Sequence, residues 1–403
     1  MTAGSTYTAT DIAVVGAGPA GLTAALALAS GGVSVTLIGS HTGDNRTTAL
    51  LASSVTALET LGAWDKCSAH AAPLEVMRIV DDTGRLWRAP ELRFAAAEIG
   101  LSAFGWNIEN RHLVAGLAAH VAGLPNVTLL PQPAIAVEFA DKAARITLDD
   151  GKIVEARLVV AADGRRSLCR EAAGIAVKGQ SYPQVAVTLN FEHSRPHNNT
   201  STEFHTPSGP FTLVPLPGRR SSLVCVVRRQ DAAGLTAMNE AALGAEVERR
   251  SHSVLGKVRV EAGLGQFPLH VETAEKFTAH RLVLVAEAAH TIPPIGAQGF
   301  NLGLRDIATL AELVARAHRD SEDVGADGLT GVYDRSRQAD TLARRLTADL
   351  LNRSLLSDFL PVQGLRGLGL YIIDRIGPLR RAVMREGVAP AASMPKLMRG
   401  EPV

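Results

Sequence analysis

A six-residue segment near the start of the chain has the composition and spacing of a diphosphate-binding turn. Gly16–Gly21 reads Gly-Ala-Gly-Pro-Ala-Gly, the pattern G-x-G-x-x-G. Glycine at these positions lets the backbone turn tightly and approach a pyrophosphate at the amino terminus of a helix. Unpaired amides and the partial positive charge of the helix end stabilise the phosphate charge. The pattern predicts nucleotide binding, with a tight helix-strand packing turn as the alternative; the predicted contacts are Gly16, Gly18, Pro19, Ala20 and Gly21.

The acid that normally completes this fingerprint is missing. A carboxylate at the tip of the second strand accepts hydrogen bonds from the adenosine ribose, but Gly39 occupies that tip here. Either a neighbour such as Asp44 or a backbone carbonyl contacts the ribose, or the affinity for the adenine half is reduced. The absence of an acid does not by itself predict a preference for a ribose phosphate.

The elements that must position this turn form a β-α-β unit. Hydrophobic patterning predicts a buried parallel strand at Asp11–Val15, a helix at Leu22–Ser30 and a second strand at Val33–Ile38. No Asp, Glu, Lys or Arg occurs from Ile12 to Gly43, which superficially resembles a membrane span or a signal peptide. Recurrent glycines and the lack of positive charge before the segment favour the β-α-β interpretation.

Later segments extend this sheet and predict a second one. Leu158–Ala162 and Leu282–Val285 are short apolar strands that end at turns, so we expect them to join the first sheet. Alternating segments with turn signals predict an antiparallel, substrate-side sheet; they are Met77–Arg88, Val185–Glu192, Phe211–Val214 and Leu223–Arg228. Helices are predicted from Asn301 through Arg319 and from Gly331 to Leu356.

The composition is that of a globular enzyme with balanced charge. The 403 residues are 46% hydrophobic, and 41 Lys and Arg against 40 Asp and Glu leave a net charge of +1. Because no overall field attracts polyanions, we expect no nucleic-acid partner. Cys67, Cys169 and Cys225 are widely spaced, without a CxxC pair or a nearby histidine pattern. We therefore predict no metal site, no disulfide framework and a cytoplasmic location.

Two further motifs follow the glycine turn, and together the three make a resemblance specific. Ala161–Ser167 reads Ala-Ala-Asp-Gly-Arg-Arg-Ser, is followed by Arg170, and resembles the second motif of the class A flavin monooxygenases. Ala286–His290 reads Ala-Glu-Ala-Ala-His and continues through Pro294 to Gln298–Asn301. This segment resembles the third motif, which is usually Gly-Asp-Ala-Ala-His.

Within that superfamily, nearly the whole chain resembles the ubiquinone-biosynthesis hydroxylases of the UbiH/UbiF type. The segments that carry the resemblance are Asp44–Leu50, Ile108–Asn110 with Leu113, Asn352-Arg353, Leu368–Leu370 and Met384–Glu386. It implies an α/β fold: an FAD/NAD(P)-binding Rossmann-like domain with an inserted mixed or antiparallel β-sheet substrate domain and a helical C-terminal tail. The implied divisions are a discontinuous FAD-binding domain (1–75, 100–183 and 276–345), a substrate-binding β-sheet domain (76–99 and 184–275) and a C-terminal helical region (346–403).

The resemblance also implies noncovalent FAD binding by residues of all three motifs. Beyond the glycine turn, the implied contacts are Arg46, Thr48, Asn110, Arg111, Asp163, Gly164, Glu287, Pro294, Gly299, Phe300 and Asn301. Glu287 replaces the aspartate that hydrogen-bonds the ribityl chain, and Ala286 replaces a glycine; a solvated acid at a strand end is the alternative interpretation of Glu287. For Arg46, Asn110 and Arg111, the alternatives are a surface arginine and a helix cap.

In this family, the helix that follows the third motif points its amino terminus at the flavin ring. Amides of Gly299, Phe300 and Asn301 would stabilise negative charge there. His290 is better explained by a hydrogen bond to its local turn than by a role as catalytic base. No catalytic residue is therefore assigned, since the flavin itself performs the oxygen chemistry.

The implied activity is hydroxylation of the aromatic ring of a polyprenylated phenol or benzoquinol in ubiquinone biosynthesis, through a flavin hydroperoxide. FAD and NAD(P)H are the implied cofactors, and molecular oxygen and a hydrophobic polyprenyl aromatic are the implied substrates. No second complete G-x-G-x-x-G occurs, so we expect NAD(P)H to visit the bound flavin. Two alternatives stay open: a flavin monooxygenase acting on a soluble aromatic, and a non-catalytic flavin-binding subunit of a biosynthetic complex.

The tail from Leu365 to Arg385 mixes apolar residues with arginines, which is typical of a helix that lies on an anionic membrane surface. A helix packed across the domain with one solvated face is the alternative. The tail thus leaves open a peripheral association with the inner face of the membrane or with a biosynthetic complex.

Overall fold

The structure is a computed structural model of the chain, and it describes residues 7–41, 44–84, 90–292, 298–356, 375–388 and 394–403. Pro294, Leu368–Leu370 and the tail from Leu365 to position 374 lie outside the described residues. The strands of the described part are β1 (Tyr7–Val15), β2 (Val35–Ile38), β3 (Thr47–Leu51), β4 (Ala71–Pro73), β5 (Val76–Asp81), β6 (Leu92–Ala95), β7 (Gly105–Glu109), β8 (Val127–Leu130), β9 (Ala134–Phe139), β10 (Ala144–Leu148), β11 (Ile153–Ala161), β12 (Val177–His193), β13 (Thr200–Thr206), β14 (Gly209–Leu216), β15 (Arg220–Arg228), β16 (Val258–Val260), β17 (Gly265–Ala274), β18 (Thr278–Ala279), β19 (Leu282–Leu284) and β20 (His290–Thr291). The helices are α1 (Pro19–Ser30), α2 (Ala52–Thr60), α3 (Asp65–Ser68), α4 (Asn110–Val121), α5 (Leu168–Ala172), α6 (Arg229–Thr236), α7 (Glu240–Arg250), α8 (Gln298–Arg319), α9 (Asp327–Leu356) and α10 (Gly377–Val388).

An eight-stranded sheet carries the glycine turn. Its strand order is β18-β19-β11-β1-β2-β8, and β10 pairs with both β11 and β9. β1 pairs in parallel with β2 and β11, and β11 pairs in parallel with β19. The prediction that strands from three remote parts of the chain form one sheet is therefore confirmed. Because these strands are parallel, the turns that follow them meet at one edge of the sheet.

The charge-free segment near the amino terminus is explained by the burial of α1. All residues from Gly21 to Ala29 are buried, and α1 contacts both α4 and α8. A helix that is apolar on every side is typical of a position inside a core. Among the described residues, no helix combines the length and the apolar character needed to cross a bilayer.

The second sheet has nine strands in the order β20-β17-β12-β15-β14-β13-β5-β6, with β16 beside β12. Its neighbouring strands are antiparallel except for β13 and β5, which are parallel, so the sheet is mixed as expected. One face packs on α6 and α7 through a core that includes Val187, Leu189, Leu223 and Cys225. Side chains alternate along a strand, so the residues between these core positions face the other way.

A three-stranded sheet of order β3-β7-β4 joins the two large sheets. It contacts α8 through β3 and the second sheet through β14. The domain boundaries stay a prediction, and two strands do not follow them. β12 begins before position 184, and β20 pairs with β17 of the second sheet although it lies within 276–345.

Candidate active-site cleft

A cleft with a volume of about 720 Å³ is lined by residues of both large sheets. Its lining includes Gly16–Ala20 from the glycine turn, Ala162–Arg165 from the second motif and Ala286-Glu287 from the third. Gly299 and Phe300, at the start of α8, also line it. The expected convergence of three remote segments on one cavity is therefore confirmed.

The glycines of the first motif have different structural roles. Gly16 has a φ of 105°, and a Cβ there would collide with the carbonyl oxygen of Ala162. Gly21 lies outside the cleft lining, and a Cβ on it would collide with the carbonyl oxygen of Gly16. Gly18 faces open space, since a Cβ there would meet only His41 Nδ1, at 3.8 Å. A ligand can therefore approach the backbone closely at Gly18, beside the first amides of α1.

Asp163 offers the cleft an unsatisfied polar atom. Its Oδ2 accepts a hydrogen bond from the backbone amide of Cys169 at 3.2 Å, while its Oδ1 is buried without a partner. Burial raises the pKa of Asp163, although hydrogen bonds from Ser167 and Cys169 oppose the shift. A buried acceptor without a donor costs free energy, and a hydroxyl group of a bound ligand would satisfy it.

Asp44, Arg46, Thr48 and Asn110 form a hydrogen-bonded group on the cleft wall. Arg46 pairs with Asp44 at 2.8 Å, and its guanidinium lies 5.2 Å from the centre of the Phe267 ring. Asn110 Nδ2 donates to Asp44 Oδ1 at 3.0 Å, and Thr48 Oγ1 donates to Asn110 Oδ1 at 2.6 Å. Burial would raise the pKa of Asp44, but hydrogen bonds and the charge of Arg46 hold it below its ordinary value. Because these partners already engage both oxygens of Asp44, it is a poor candidate for the missing ribose acceptor.

The residues after Gly39 offer a better candidate. Gly39 has a φ of 108°, and a Cβ there would lie 3.8 Å from the amide nitrogen of Ala17. Ser40 and His41 line the cleft next to it, and His41 Nε2 is buried without a hydrogen-bond partner. Neither residue was predicted from the sequence. Their position immediately after β2 was the available signal.

The alanine in the third motif is accommodated by a glycine on α8. Ala286 has a φ of 53°, in the left-handed region that disfavours side chains. Its amide donates to Asp306 Oδ2 at 3.0 Å. A Cβ on Gly303 would lie only 2.6 Å from the Ala286 methyl group. Glu287 follows with its side chain exposed on the cleft wall.

His290 belongs to a buried charged network behind the cleft. Its Nε2 lies 2.6 Å from Asp306 Oδ2, and Arg337 Nε donates to Asp306 Oδ1 at 2.8 Å. Arg337 also pairs with Asp340 at 2.7 Å. The partner of His290 is thus an acid on α8 rather than its local turn, which corrects the expectation from the sequence. His290 also does not line the cleft. This placement favours a structural role and gives no support to a catalytic base.

Three of the predicted cofactor contacts lie outside the cleft lining. Gly21, on α1, packs closely against the carbonyl oxygen of Gly16. Arg111 pairs with Glu109 at 2.8 Å, and 53% of the Arg111 side chain is exposed. The Asn301 side chain binds the amide of Leu51 and the carbonyl of Ala49, which ties α8 to β3. None of these three lines the cleft, and Pro294 falls outside the described residues. Their roles at the cofactor stay predictions.

The wall opposite the glycine turn is a face of the second sheet. The lining residues from its strands are Ala186, Thr188, Leu189, Asn190, Ser222, Leu223, Val224, Phe267, Pro268, Leu269, His270 and Thr291. This group contains no Asp, Glu, Lys or Arg. Sequence patterning predicted the strands but not which of these side chains face the cleft.

The described residues fit FAD on three counts. The cleft begins at a glycine turn where the backbone is approachable, it contains the orphaned Oδ1 of Asp163, and it extends to the start of α8. A flavin ring lying between the amino terminus of α8 and the second sheet would face the uncharged wall. FAD therefore accounts for the part of the cleft formed by Gly16–Ala20, Asp163 and the start of α8, which we call the cradle. The wall formed by the second sheet remains for a second molecule.

The fold is that of flavin-dependent monooxygenases. The solved structure of p-nitrophenol 4-monooxygenase PnpA from Pseudomonas putida DLL-E4 matches with a TM-score of 0.78, over 96% of this chain and 100% of that chain. Sequence identity is 20%, so this similarity shows the fold alone.

Sequence comparison gives the family. The family model described as "FAD binding domain" matches residues 9–341. Ubiquinone hydroxylase UbiL from Rhodospirillum rubrum is 38% identical over 412 residues, covering 99% of this chain and 95% of that protein. The 3-demethoxyubiquinol 3-hydroxylase of Escherichia coli is 32% identical, covering 93% of this chain and 97% of that protein. The chain belongs to this FAD-binding family, and it is an FAD-dependent monooxygenase.

Proposed function

We propose that the protein hydroxylates the aromatic ring of a ubiquinone precursor, a polyprenylated phenol or benzoquinol, with FAD, NAD(P)H and molecular oxygen. The observation that carries the proposal is one cleft that joins a dinucleotide cradle to an uncharged sheet wall. Relatives similar over nearly the whole chain are hydroxylases of ubiquinone and demethoxyubiquinol by name. An uncharged wall suits a neutral aromatic substrate better than it suits a charged substrate, because a charge buried there would lack a partner.

This arrangement assigns separate roles to the cofactor and to the residues of the cleft. Bound FAD supplies the chemistry: two electrons from NAD(P)H reduce dioxygen so that one oxygen atom enters the ring and the other leaves as water. Gly16–Ala20 and the first amides of α1 would hold the diphosphate, and Asp163 would accept a hydrogen bond from a hydroxyl group of the cofactor. Amides of Gly299 and Phe300 stabilise negative charge on the cofactor. The sheet wall places the ring and excludes water.

Hydroxylation is tested with purified protein, FAD, NAD(P)H and a phenol that carries a short prenyl chain. With isotopically labelled dioxygen, we expect one labelled oxygen in the product by mass spectrometry. Hydroxylation of small soluble aromatics but no prenyl phenol would favour the soluble-aromatic alternative. A protein that binds FAD but consumes no NAD(P)H in an oxygen-dependent manner would favour the non-catalytic subunit.

The cellular role is tested by deleting the gene. We expect a quinone precursor that lacks one ring oxygen to accumulate. Unchanged quinone in a strain shown to contain no second ring hydroxylase would contradict the proposed pathway role.

We also propose that α10 brings the protein to an anionic membrane surface, where a polyprenyl substrate resides. Its inner side packs through Met384 on Ala96 and Phe104. Leu379 and Val383 remain 40% and 44% exposed. Arg381 and Arg385 on the same helix are also exposed, which complements anionic headgroups.

The membrane proposal is tested by co-sedimentation with vesicles that contain phosphatidylglycerol. Leu379→Asp/Val383→Asp should reduce the bound fraction several-fold, since each acid removes apolar contact and repels the surface. Val332→Asp, at a residue 40% exposed on α9, is the matched control. Equal sedimentation of the double variant and the wild type would contradict the proposal.

A further inference from the structure

We propose that Asn190 binds the ring hydroxyl of the substrate, with its side-chain oxygen as acceptor and Glu109 as the positioning residue that fixes the amide. This inference rests on the proposed function and adds a named contact on the sheet wall. Asn190 lies on β12, lines the cleft and is 9% exposed. Two of its neighbours in the cleft lining, Thr188 along the strand and Ser222 across the strand pair, are neutral.

The orientation of the Asn190 amide follows from its contact with Glu109. Asn190 Nδ2 donates to Glu109 Oε1 at 3.2 Å. Glu109 also accepts from Arg111 at 2.8 Å and from Arg220 at 3.2 Å. Burial would raise the pKa of Glu109, but the hydrogen bonds and charges of Arg220 and Arg111 hold it below its ordinary value. An ionised carboxylate can only accept hydrogen bonds, so the amide must present its nitrogen to Glu109.

The Asn190 oxygen is consequently directed away from Glu109 and is available to a ligand. Oδ1 has no hydrogen-bond partner among the described residues. It is not one of the fully buried atoms without a partner, so it is accessible from the cleft. Arg220 is itself held by Glu261 at 2.7 Å. The Asn190 amide is thus held by Glu109, Arg220 and Glu261, charged groups that do not line the cleft. The amide group that faces the cleft carries no net charge.

The surroundings of Asn190 match a neutral phenol. Ser222 lies opposite Asn190 in the strand pair, and its Oγ accepts from Asn107 Nδ2 at 3.2 Å. Thr188 lies two residues away on the same face. An acceptor at the ring hydroxyl increases the electron density of the ring, which favours attack by an electrophilic oxygen. Asn190 would therefore both select a phenol and orient the carbon that is hydroxylated.

The test is a binding cycle between the FAD-loaded protein and two probes, a prenyl-substituted phenol and the matching prenylbenzene. Binding is read from the absorbance change of the bound flavin. The wild type should prefer the phenol by about 3- to 10-fold, the range of one neutral hydrogen bond. In Asn190→Leu and Asn190→Ala the preference should fall to about one. Thr188→Val, on the same strand face, should keep it.

Flavin content and thermal unfolding show whether each variant is folded, and the Ala variant replaces the Leu variant if the larger side chain disturbs the sheet. A preference retained in both Asn190 variants, or lost only in Thr188→Val, would overturn the inference while leaving hydroxylation intact. A wild type that binds both probes equally would also overturn it. A wild type that binds neither probe would instead contradict the proposed function and, with it, this contact.

Discussion

His41 lies two residues after Gly39, which occupies the position of the usual ribose-binding acid, and its Nε2 is buried without a hydrogen-bond partner. We expect His41→Ala to weaken FAD binding by about 5- to 10-fold, the value of one hydrogen bond of about 1 kcal/mol. The measurement is titration of the apoprotein with FAD, followed by flavin fluorescence. His252→Ala, at a histidine whose side chain is 62% exposed, should bind FAD like the wild type. Equal affinities for both variants would show that another group serves the ribose.

The close contact between Ala286 and Gly303 can be tested by mutation. Gly303→Ala should lower the free energy of unfolding by about 1–3 kcal/mol, because its methyl group would overlap that of Ala286. Ala286→Gly removes the obstacle, so the double variant should regain most of the loss. Urea unfolding measures the free energy of unfolding of the two single variants and the double variant. Gly328→Ala, at a helical glycine with open space around it, is the control, and simple additivity of the two changes would refute the coupling.

Single residues were predictable where a local pattern fixes their role. Gly16 and Gly18 follow from spacing alone, because a tight turn and a close backbone approach are properties of a few consecutive residues. Asn190 and His41 did not follow. The direction of Asn190 depends on how β12 pairs with β15, and that register is set by residues about 30 positions away.

At the scale of the elements, Asp306 connects α8 with the third motif and with α9. It lies on α8, binds the amide of Ala286 and His290 in the third motif, and pairs with Arg337 on α9. We expect Asp306→Asn to destabilise the protein by about 3–5 kcal/mol, since it removes the fully buried carboxylate that pairs with both His290 and Arg337, although Asp340 still pairs with Arg337. Chemical denaturation measures this loss. Asp327→Asn, at an exposed acid on α9, should change stability by less than about 1 kcal/mol.

The same acid predicts a pH dependence. Burial would raise the pKa of Asp306, but the charges of His290 and Arg337 hold it below its ordinary value. A carboxyl group with a lowered pKa in the folded state contributes stability above its unfolded pKa of about 3.9, and this contribution is lost as the pH falls. The stability difference between the wild type and Asp306→Asn should therefore shrink below about pH 4. A difference that grows on acidification would contradict this assignment.

Element types were predicted better than element lengths. β1 begins at Tyr7 rather than Asp11, because Tyr7–Thr10 pairs with Ile153–Ala156 of β11. β12 spans Val177–His193, whereas patterning found only Val185–Glu192. Its first five residues are exposed and lack alternation, so only their pairing with β17 makes them a strand. Long-range hydrogen bonding is invisible to a local pattern.

For the molecule as a whole, the cleft couples the two large sheets. FAD that touches residues of both should stabilise the folded protein by about 2.7 kcal/mol at a concentration one hundred times its Kd. We expect a corresponding rise in Tm when FAD is added to apoprotein. FMN, which lacks the adenylate half, should raise it less. No change with FAD would contradict the proposed cradle.

The wide separation of the cradle segments along the chain also constrains biosynthesis. The proposed cradle needs Gly16, Asp163 and Phe300 together, so a growing polypeptide cannot retain the prosthetic group until three quarters of it has left the ribosome. Flavin supply consequently acts on nearly finished molecules. Premature termination anywhere before α8 should yield a colourless product, however intact its nucleotide-binding amino terminus.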